Sequence, residues 1–298
     1  MIKLAGRNGI QLAADVLGPA DGPPVVLLHG GGQTRHAWGT TLQSVADRGW
    51  RGFSVDLRGH GDSEWDPDGD YTLDAFADDV VAIANGMPSQ PVLIGASLGG
   101  IASLTAIGEA PAAHPIGRAL VLVDVAPRSE AEGVQRIGAF MTQNIDGFDS
   151  LEQVADAIAR YNPHRPRPTN LEGLKKNVRQ RDNGRWYWHW DPAFVGASFK
   201  EAGVDGRSME EQLAARDETR SVLQPNRLHA AAEHIKVPVL LVRGRMSDLL
   251  SEEGARELLE IVPHAQYADV AGAGHMVAGD RNDAFNDAVL SFLDAIGS

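Results

Sequence analysis

The residues of this chain that are best suited to chemistry lie in the glycine-rich segment Gly95-Ala96-Ser97-Leu98-Gly99. The segment follows an apolar run that is typical of a strand and precedes a run that is typical of a helix. On such a strand-to-helix turn a serine exposes its hydroxyl, and glycines two residues before and after it make room for the sharp bend. The pattern predicts that Ser97 is a nucleophile and that the Leu98 amide binds an oxyanion. The alternative is a buried turn serine in an unrelated junction.

A serine hydroxyl needs a base that accepts its proton, and the base needs a carboxylate that orients it. Of the ten histidines, His275 stands out because it lies in a glycine-rich loop between a strand-like run and the last helix-like run. Loops at the carboxyl ends of strands hold the active-site groups of open parallel sheets. We therefore expect His275 to be the base, the alternative being a histidine that caps the last helix.

The orienting carboxylate is expected between Ser97 and His275, because chains with this serine turn follow the order serine, acid, histidine. Asp248 fits this order and lies shortly after the strand-like run from Pro238 to Gly244. Its rival is Asp124, at the end of an earlier strand-like run. We expect Asp248 to be the acid, in which case Asp124 would anchor the start of the segment that follows it.

These groups must be positioned by a sheet, and the sequence indicates one. Short, nearly continuous apolar runs alternate with helix-length amphipathic segments, which is typical of strands buried on both faces of a parallel sheet. The strand-like runs are Pro24 to His29, Gly52 to Asp56, Pro91 to Gly95, Ala119 to Asp124, Pro238 to Gly244 and Gln266 to Val270. The helix-like segments are Thr41 to Arg48, Leu73 to Asn85, Leu98 to Glu109, Ser251 to Ile261 and Arg281 to Ile296. The fold class predicted is α/β, with a doubly wound, mostly parallel sheet.

The alternation stops between residues 128 and 225, where the pattern is helical. Apolar residues at helical spacing occur in Val134 to Met141, Leu151 to Tyr161 and Leu171 to Arg179. The segment holds 14 basic and 15 acidic residues, so most of the acidity of the chain lies outside it. We expect residues 128–225 to form an inserted helical cap, or lid, on a core made of residues 1–127 and 226–298.

Five motifs, in this order along the chain, resemble those of the α/β-hydrolase superfamily, in its capped, serine-esterase-like branch. They are His29-Gly30-Gly31-Gly32, Asp56 to Ser63, Gly95 to Gly99, Gly244 to Asp248, and Gly272 to His275. The resemblance implies that Ser97 is the nucleophile, that His275 acts first as base and then as acid, and that Asp248 orients it. It also implies that the Gly31 amide is the second oxyanion donor beside Leu98, with Gly32 as a rival donor that lies at the same pocket.

A dense aromatic cluster lies within the expected cap, at Trp186, Trp188 and Trp190. Large rings of this kind either pin a cap to its core or line an apolar substrate pocket. The spacing of two residues places all three rings on one face only if the segment is extended. We expect these tryptophans to contribute to the pocket, and the packing role stays open.

Composition excludes several classes of protein. The net charge of −13 disfavours a nucleic-acid or anionic membrane partner, and the absence of cysteine excludes disulfides and thiolate chemistry. No apolar stretch is long enough to span a membrane, and the first 20 residues lack a signal-peptide pattern, so we expect a cytoplasmic protein. No His, Asp and Glu cluster has the spacing of metal ligands, and we expect neither metal nor cofactor. The oligomeric state is not predicted.

The function predicted is that of a carboxylic-ester hydrolase, which cleaves a small to medium apolar ester through an acyl-enzyme. Three other reactions use the same serine and stay open: carbon–carbon bond hydrolysis, lactone hydrolysis and cofactor-free perhydrolysis. A different class, the non-catalytic receptor that binds a small molecule under its cap, also stays open.

Overall fold

A mostly parallel sheet of eight strands forms the centre of the protein, which we describe from a computed structural model covering residues 1–163, 165–199, 222–277 and 282–297. The ten strands of these ranges are β1 Ile2–Ala5, β2 Gln11–Leu17, β3 Pro24–Leu28, β4 Arg51–Val55, β5 Val92–Ala96, β6 Ala119–Val123, β7 Val178–Gln180, β8 Trp186–Trp188, β9 Val239–Gly244 and β10 Gln266–Val270. The large sheet has the order β1-β2-β4-β3-β5-β6-β9-β10, and β7 pairs with β8 in a separate hairpin. All pairs from β4 to β10 are parallel, whereas β2 runs antiparallel to both of its neighbours.

The central strands are buried on both faces, as their continuous apolar runs predict. In β3, Val25 and Leu27 belong to one hydrophobic cluster and Val26 and Leu28 to the other, and all four are fully buried. Strands of this kind require helices on both sides of the sheet. The predicted doubly wound, mostly parallel sheet is confirmed.

Nine helices are found in the described ranges, and those outside residues 128–225 cover both faces of the sheet. They are α1 Gly39–Asp47, α2 Leu73–Asn85, α3 Leu98–Gly108, α4 Ala131–Thr142, α5 Leu151–Tyr161, α6 Pro192–Phe199, α7 Pro225–Glu233, α8 Glu252–Ile261 and α9 Asn282–Ile296. Helices α1 and α9 pack on one face, and α2, α3, α7 and α8 pack on the other. Within the described ranges, no helix is long and apolar enough to cross a membrane.

Residues 128–225 contribute no strand to the large sheet within their described part, which excludes residues 164 and 200–221. Helices α4 and α5 match their predicted spans closely. The predicted helix from Leu171 to Arg179 is wrong: a short 3-10 helix, Glu172–Lys176, is followed directly by β7. The β-branched Val178 is buried in that strand and pairs with Trp188. The division of the chain at residues 127 and 225 stays a prediction.

Candidate active site

Ser97 occupies the sharp turn between β5 and α3. Its backbone angles are φ 43° and ψ −112°, a region that residues with a side chain rarely adopt. A β-carbon on Gly95 would lie 2.4 Å from the Gly99 carbonyl oxygen, and one on Gly99 would lie 2.4 Å from the Leu28 carbonyl oxygen. The chain can therefore pass this closely only with glycine at both positions, which is the reason for the motif spacing.

Two backbone amides near Ser97 have free hydrogen-bonding capacity within the described ranges. The amides of Leu98 and Gly31 donate no hydrogen bond to any residue of the described ranges, and both residues line the same cavity as Ser97. The Gly32 amide differs, because it donates to Nε2 of His60 at 3.1 Å. The geometry therefore favours Gly31 over its rival Gly32 as the partner of Leu98.

His275 lies in the loop after β10, and its imidazole is held by a buried carboxylate. Its Nδ1 is 2.6 Å from Oδ2 of Asp124, which directly follows β6 and is fully buried. The same carboxylate accepts a hydrogen bond from the Ser247 hydroxyl at 2.5 Å and one from the Gly244 amide at 2.9 Å. With a carboxylate at Nδ1, the other ring nitrogen of His275 is left to act as a base.

The predicted pairing of His275 with Asp248 is wrong. The Asp248 carboxylate forms an ion pair with Arg136 of α4 at 2.8 Å, and its side chain is 29% exposed. Strands β6 and β9 are parallel neighbours, so the loops that follow them meet at the same edge of the sheet. The loop after β9 supplies the Ser247 hydroxyl to the carboxylate that binds His275, and the last residue of β9 supplies the Gly244 amide. The carboxylate itself belongs to Asp124, the residue that follows β6.

A cavity of about 430 Å³ joins these groups, which is within the usual size range of small-molecule sites. Ser97, His275, Gly31 and Leu98 all line it. Further lining residues that the sequence analysis did not identify come from α4, α5 and α6, namely Val134, Ile137, Phe140, Met141, Ile158, Tyr161 and Phe194. The helical periodicity of α4 and α5 showed which side chains share a face, but not that this face covers Ser97.

The three predicted pocket tryptophans have different places. The segment is extended, as the spacing required, and Trp188 lines the cavity. Trp190 stacks on Trp188 with ring centroids 4.8 Å apart, and its ring lies close to Gly32. Trp186 pairs through its backbone with Phe148, and Lys175 lies over its ring. Of the three rings, that of Trp188 is among the residues that line the cavity, whereas Trp186 and Trp190 are not and pack against neighbouring groups.

Two buried histidines lie beneath the loop that carries Gly31. His29 accepts a hydrogen bond from the Leu57 amide at Nε2 (3.0 Å) and donates from Nδ1 to the Gly30 carbonyl (2.8 Å). Burial lowers the pKa of His29, and it lowers the pKa of His60 to about 3. Both rings are therefore neutral at ordinary pH. Their hydrogen-bond partners agree with this, because each ring contacts one backbone amide, which needs an accepting nitrogen, and one carbonyl oxygen, which needs a donating nitrogen.

Because the pKa values of these two histidines are lowered by burial, we expect the folded protein to lose stability in mild acid. In the unfolded chain a histidine takes up a proton near pH 6.5, whereas in the folded protein His60 stays neutral down to about pH 3. Between these values the unfolded state binds more protons, so the free energy of unfolding falls as the pH falls, by at most about 1.4 kcal/mol per pH unit for each histidine. Urea unfolding between pH 7 and pH 5 should show this slope, and His60→Gln should reduce it. An equal slope in that variant would contradict the assignment to His60.

A serine on a strand-to-helix turn that shares a cavity with a histidine held by a carboxylate, at the carboxyl edge of a parallel sheet, is the arrangement found in hydrolases of the α/β class. The model of the Alpha/beta hydrolase family matches residues 25–288, and the chain belongs to this family.

Comparison with individual proteins agrees with the family. An esterase of Mycobacterium tuberculosis is 28% identical over 279 residues, which cover 91% of this chain and 83% of that protein. A 3-hydroxybutyrate-oligomer hydrolase of Cupriavidus necator is 28% identical over 265 residues, which cover 86% and 84%. The crystal structure of an E-2-(acetamidomethylene)succinate hydrolase matches with a TM-score of 0.79 at 22% identity, over 98% of this chain and 99% of that one. The last comparison shows a common fold, and the relatives together support a hydrolase.

Proposed function

We propose that the protein is a serine hydrolase that cleaves carboxylic esters, with Ser97 as nucleophile, His275 as base and Asp124 as the orienting acid. The observation that carries the proposal is that Ser97 lines one cavity together with His275, whose ring is held by buried Asp124. Gly31 and Leu98 line the same cavity, and their amides donate no hydrogen bond within the described ranges. Asp124 takes the role that the sequence had favoured for Asp248. The relatives named as an esterase and as a 3-hydroxybutyrate-oligomer hydrolase support ester cleavage.

The chemistry follows from this arrangement. His275 accepts the proton of Ser97 as the hydroxyl oxygen attacks the acyl carbon, and buried Asp124 stabilises the imidazolium that forms. The amides of Gly31 and Leu98 bind the oxyanion, and two such donors contribute about 3 kcal/mol each to transition-state stabilisation. His275 then protonates the departing alcohol, and water, activated by the same imidazole, hydrolyses the acyl-enzyme. No step requires a metal or a cofactor.

The cavity indicates the class of ester. Its lining is mostly apolar, with aliphatic and aromatic side chains from α4, α5 and α6 opposite the serine. A volume of about 430 Å³ suits a small to medium apolar substrate. Because residues 128–225 supply half of the residues that line the cavity, the proposal includes a cap whose side chains select the acyl and alcohol groups.

The test is a substrate panel with the purified protein. It comprises p-nitrophenyl esters from acetate to palmitate, a thioester, a lactone, an anilide, a ring-cleavage dienoate, and acetate with peroxide. We expect the highest kcat/KM on esters with short to medium acyl chains, together with covalent labelling of Ser97 by a fluorophosphonate. A preference for the dienoate, the lactone or peroxide would replace ester cleavage by that reaction, and absence of labelling in the folded protein would favour a receptor.

A further inference from the structure

The loop that carries the Gly31 amide consists of three glycines, Gly30 to Gly32, and glycine restricts the orientation of its peptide groups less than any other residue. Gly32 has φ +75°, a value that its lack of a side chain permits. An oxyanion donor must nevertheless be aimed before the reaction begins, because reorienting it during the reaction would consume the stabilisation that it provides. Something outside the loop must therefore fix the two peptide groups that flank Gly31.

The first of these peptide groups joins Gly30 to Gly31. Its carbonyl oxygen accepts hydrogen bonds from Nδ1 of His29 at 2.8 Å and from the Gln33 amide at 3.1 Å. In a trans peptide the C=O and N–H bonds point in opposite directions. Two donors on the carbonyl side therefore turn the Gly31 N–H away from them.

The second peptide group joins Gly31 to Gly32, and its N–H is bound by His60. The Gly32 amide donates to Nε2 of His60 at 3.1 Å, while Nδ1 of the same ring is 2.9 Å from the Arg58 carbonyl oxygen. A carbonyl only accepts and an amide N–H only donates, so the proton of the imidazole is on Nδ1 and Nε2 is the acceptor. The ring is fully buried, and burial keeps it neutral.

The acceptor on His60 is held firmly from three sides. Arg58, whose carbonyl fixes the ring, is buried and forms two hydrogen bonds with Asp79, at 2.6 and 2.7 Å. The backbone of His60 pairs with that of Trp190. The His60 ring also packs against Phe194 with centroids 4.8 Å apart, and a β-carbon on Gly31 would lie 3.5 Å from Phe194.

We propose that His60 is a positioning residue for the oxyanion hole: its neutral Nε2 captures the Gly32 N–H and so leaves the Gly31 N–H as the donor that faces the substrate. The proposal rests on the proposed function of Ser97. It assigns a role to one residue of the motif from Asp56 to Ser63, within which the sequence had singled out no individual side chain.

Two substitutions separate positioning from mere packing. In His60→Gln the side-chain oxygen reaches about as far as Nε2 does in histidine, so it can still accept the hydrogen bond from the Gly32 amide. In His60→Asn the side chain reaches only the position of Nδ1, so its NH₂ group can still donate to the Arg58 carbonyl but the Gly32 amide loses its acceptor. We expect His60→Asn to lower kcat by about 10- to 100-fold with KM within about threefold, and to weaken binding of a trifluoromethyl ketone inhibitor by the same factor as kcat/KM. His60→Gln should restore kcat to within about fivefold of the unsubstituted enzyme. The matched control is His234→Asn, at the exposed residue that follows α7 directly, which should change neither quantity.

Equal kcat and inhibitor affinity in folded His60→Asn and His60→Gln would overturn the proposal. If the variants do not fold, measurements on the unsubstituted protein decide. Nitrogen NMR should show an unprotonated Nε2 on His60 from pH 5 to pH 9, and the Gly32 amide should exchange with solvent more slowly than that of Gly31. A protonated Nε2, or equal exchange of the two amides, would also overturn it. If no ester of the panel were hydrolysed, the proposed function would be contradicted. The NMR measurements would still show whether His60 binds the Gly32 amide, because they do not depend on activity.

Discussion

Replacing Ser97 with alanine is expected to lower kcat for the best ester by at least about 10⁴-fold, because no other group on the serine turn can form the acyl bond. The remaining rate should be that provided by the oxyanion donors and by substrate binding alone. The measurement is single-turnover hydrolysis of a p-nitrophenyl ester. Fluorophosphonate labelling should be lost in the same variant.

The stability of this variant provides the control. Ser97 has φ 43°, so alanine at this position keeps the backbone strain, whereas glycine relieves it. We expect Ser97→Ala to unfold within about 0.5 kcal/mol of the unsubstituted protein and Ser97→Gly to be about 1 kcal/mol more stable, with both inactive. Ser44→Ala, at a half-buried position of α1 that is not among the residues lining the cavity, should keep full activity. Residual turnover above about 1% in folded Ser97→Ala would contradict the mechanism.

The serine turn could be predicted from the sequence because its requirements are local. The bend needs glycine at Gly95 and Gly99, and both contacts that enforce this lie within the strand, the turn and the adjacent strand. The same is true of the buried parallel strands, whose apolar runs show in the sequence because they are covered on both faces. The N-terminal strands β1 and β2 were not predicted, since an antiparallel edge leaves β1 largely exposed and without a continuous apolar run.

The identity of the acid could not be predicted, because it depends on where two side chains point at the ends of neighbouring strands. Asp124 and Asp248 both follow strands that end at the same edge of the sheet. Arg136 draws Asp248 towards α4, a contact between residues more than 100 positions apart in the chain. The roles of Trp188 and His60 depend on similar long-range contacts, which the sequences of their own segments do not show.

Asp124→Asn is expected to lower kcat by about 10³- to 10⁴-fold with little change in KM. The asparagine amide still occupies the site but has no charge to stabilise the imidazolium of His275, and its NH₂ group can hold the imidazole in the wrong tautomer. Ser247→Ala removes one of the two other donors to the Asp124 carboxylate, and we expect a smaller loss in kcat, about 3- to 10-fold.

Asp248→Asn is the matched control, because it makes the same chemical change one strand away. It breaks an ion pair whose side chains are 29% and 46% exposed, and pairs of this kind contribute about 0 to 1 kcal/mol. We therefore expect kcat within about threefold of the unsubstituted enzyme, with any larger effect in KM, since Arg136 belongs to the helix that lines the cavity. If Asp248→Asn lost as much kcat as Asp124→Asn, the two carboxylates would share the role of the acid. If only Asp248→Asn were inactive, the His275–Asp124 hydrogen bond would not be the one that operates during catalysis.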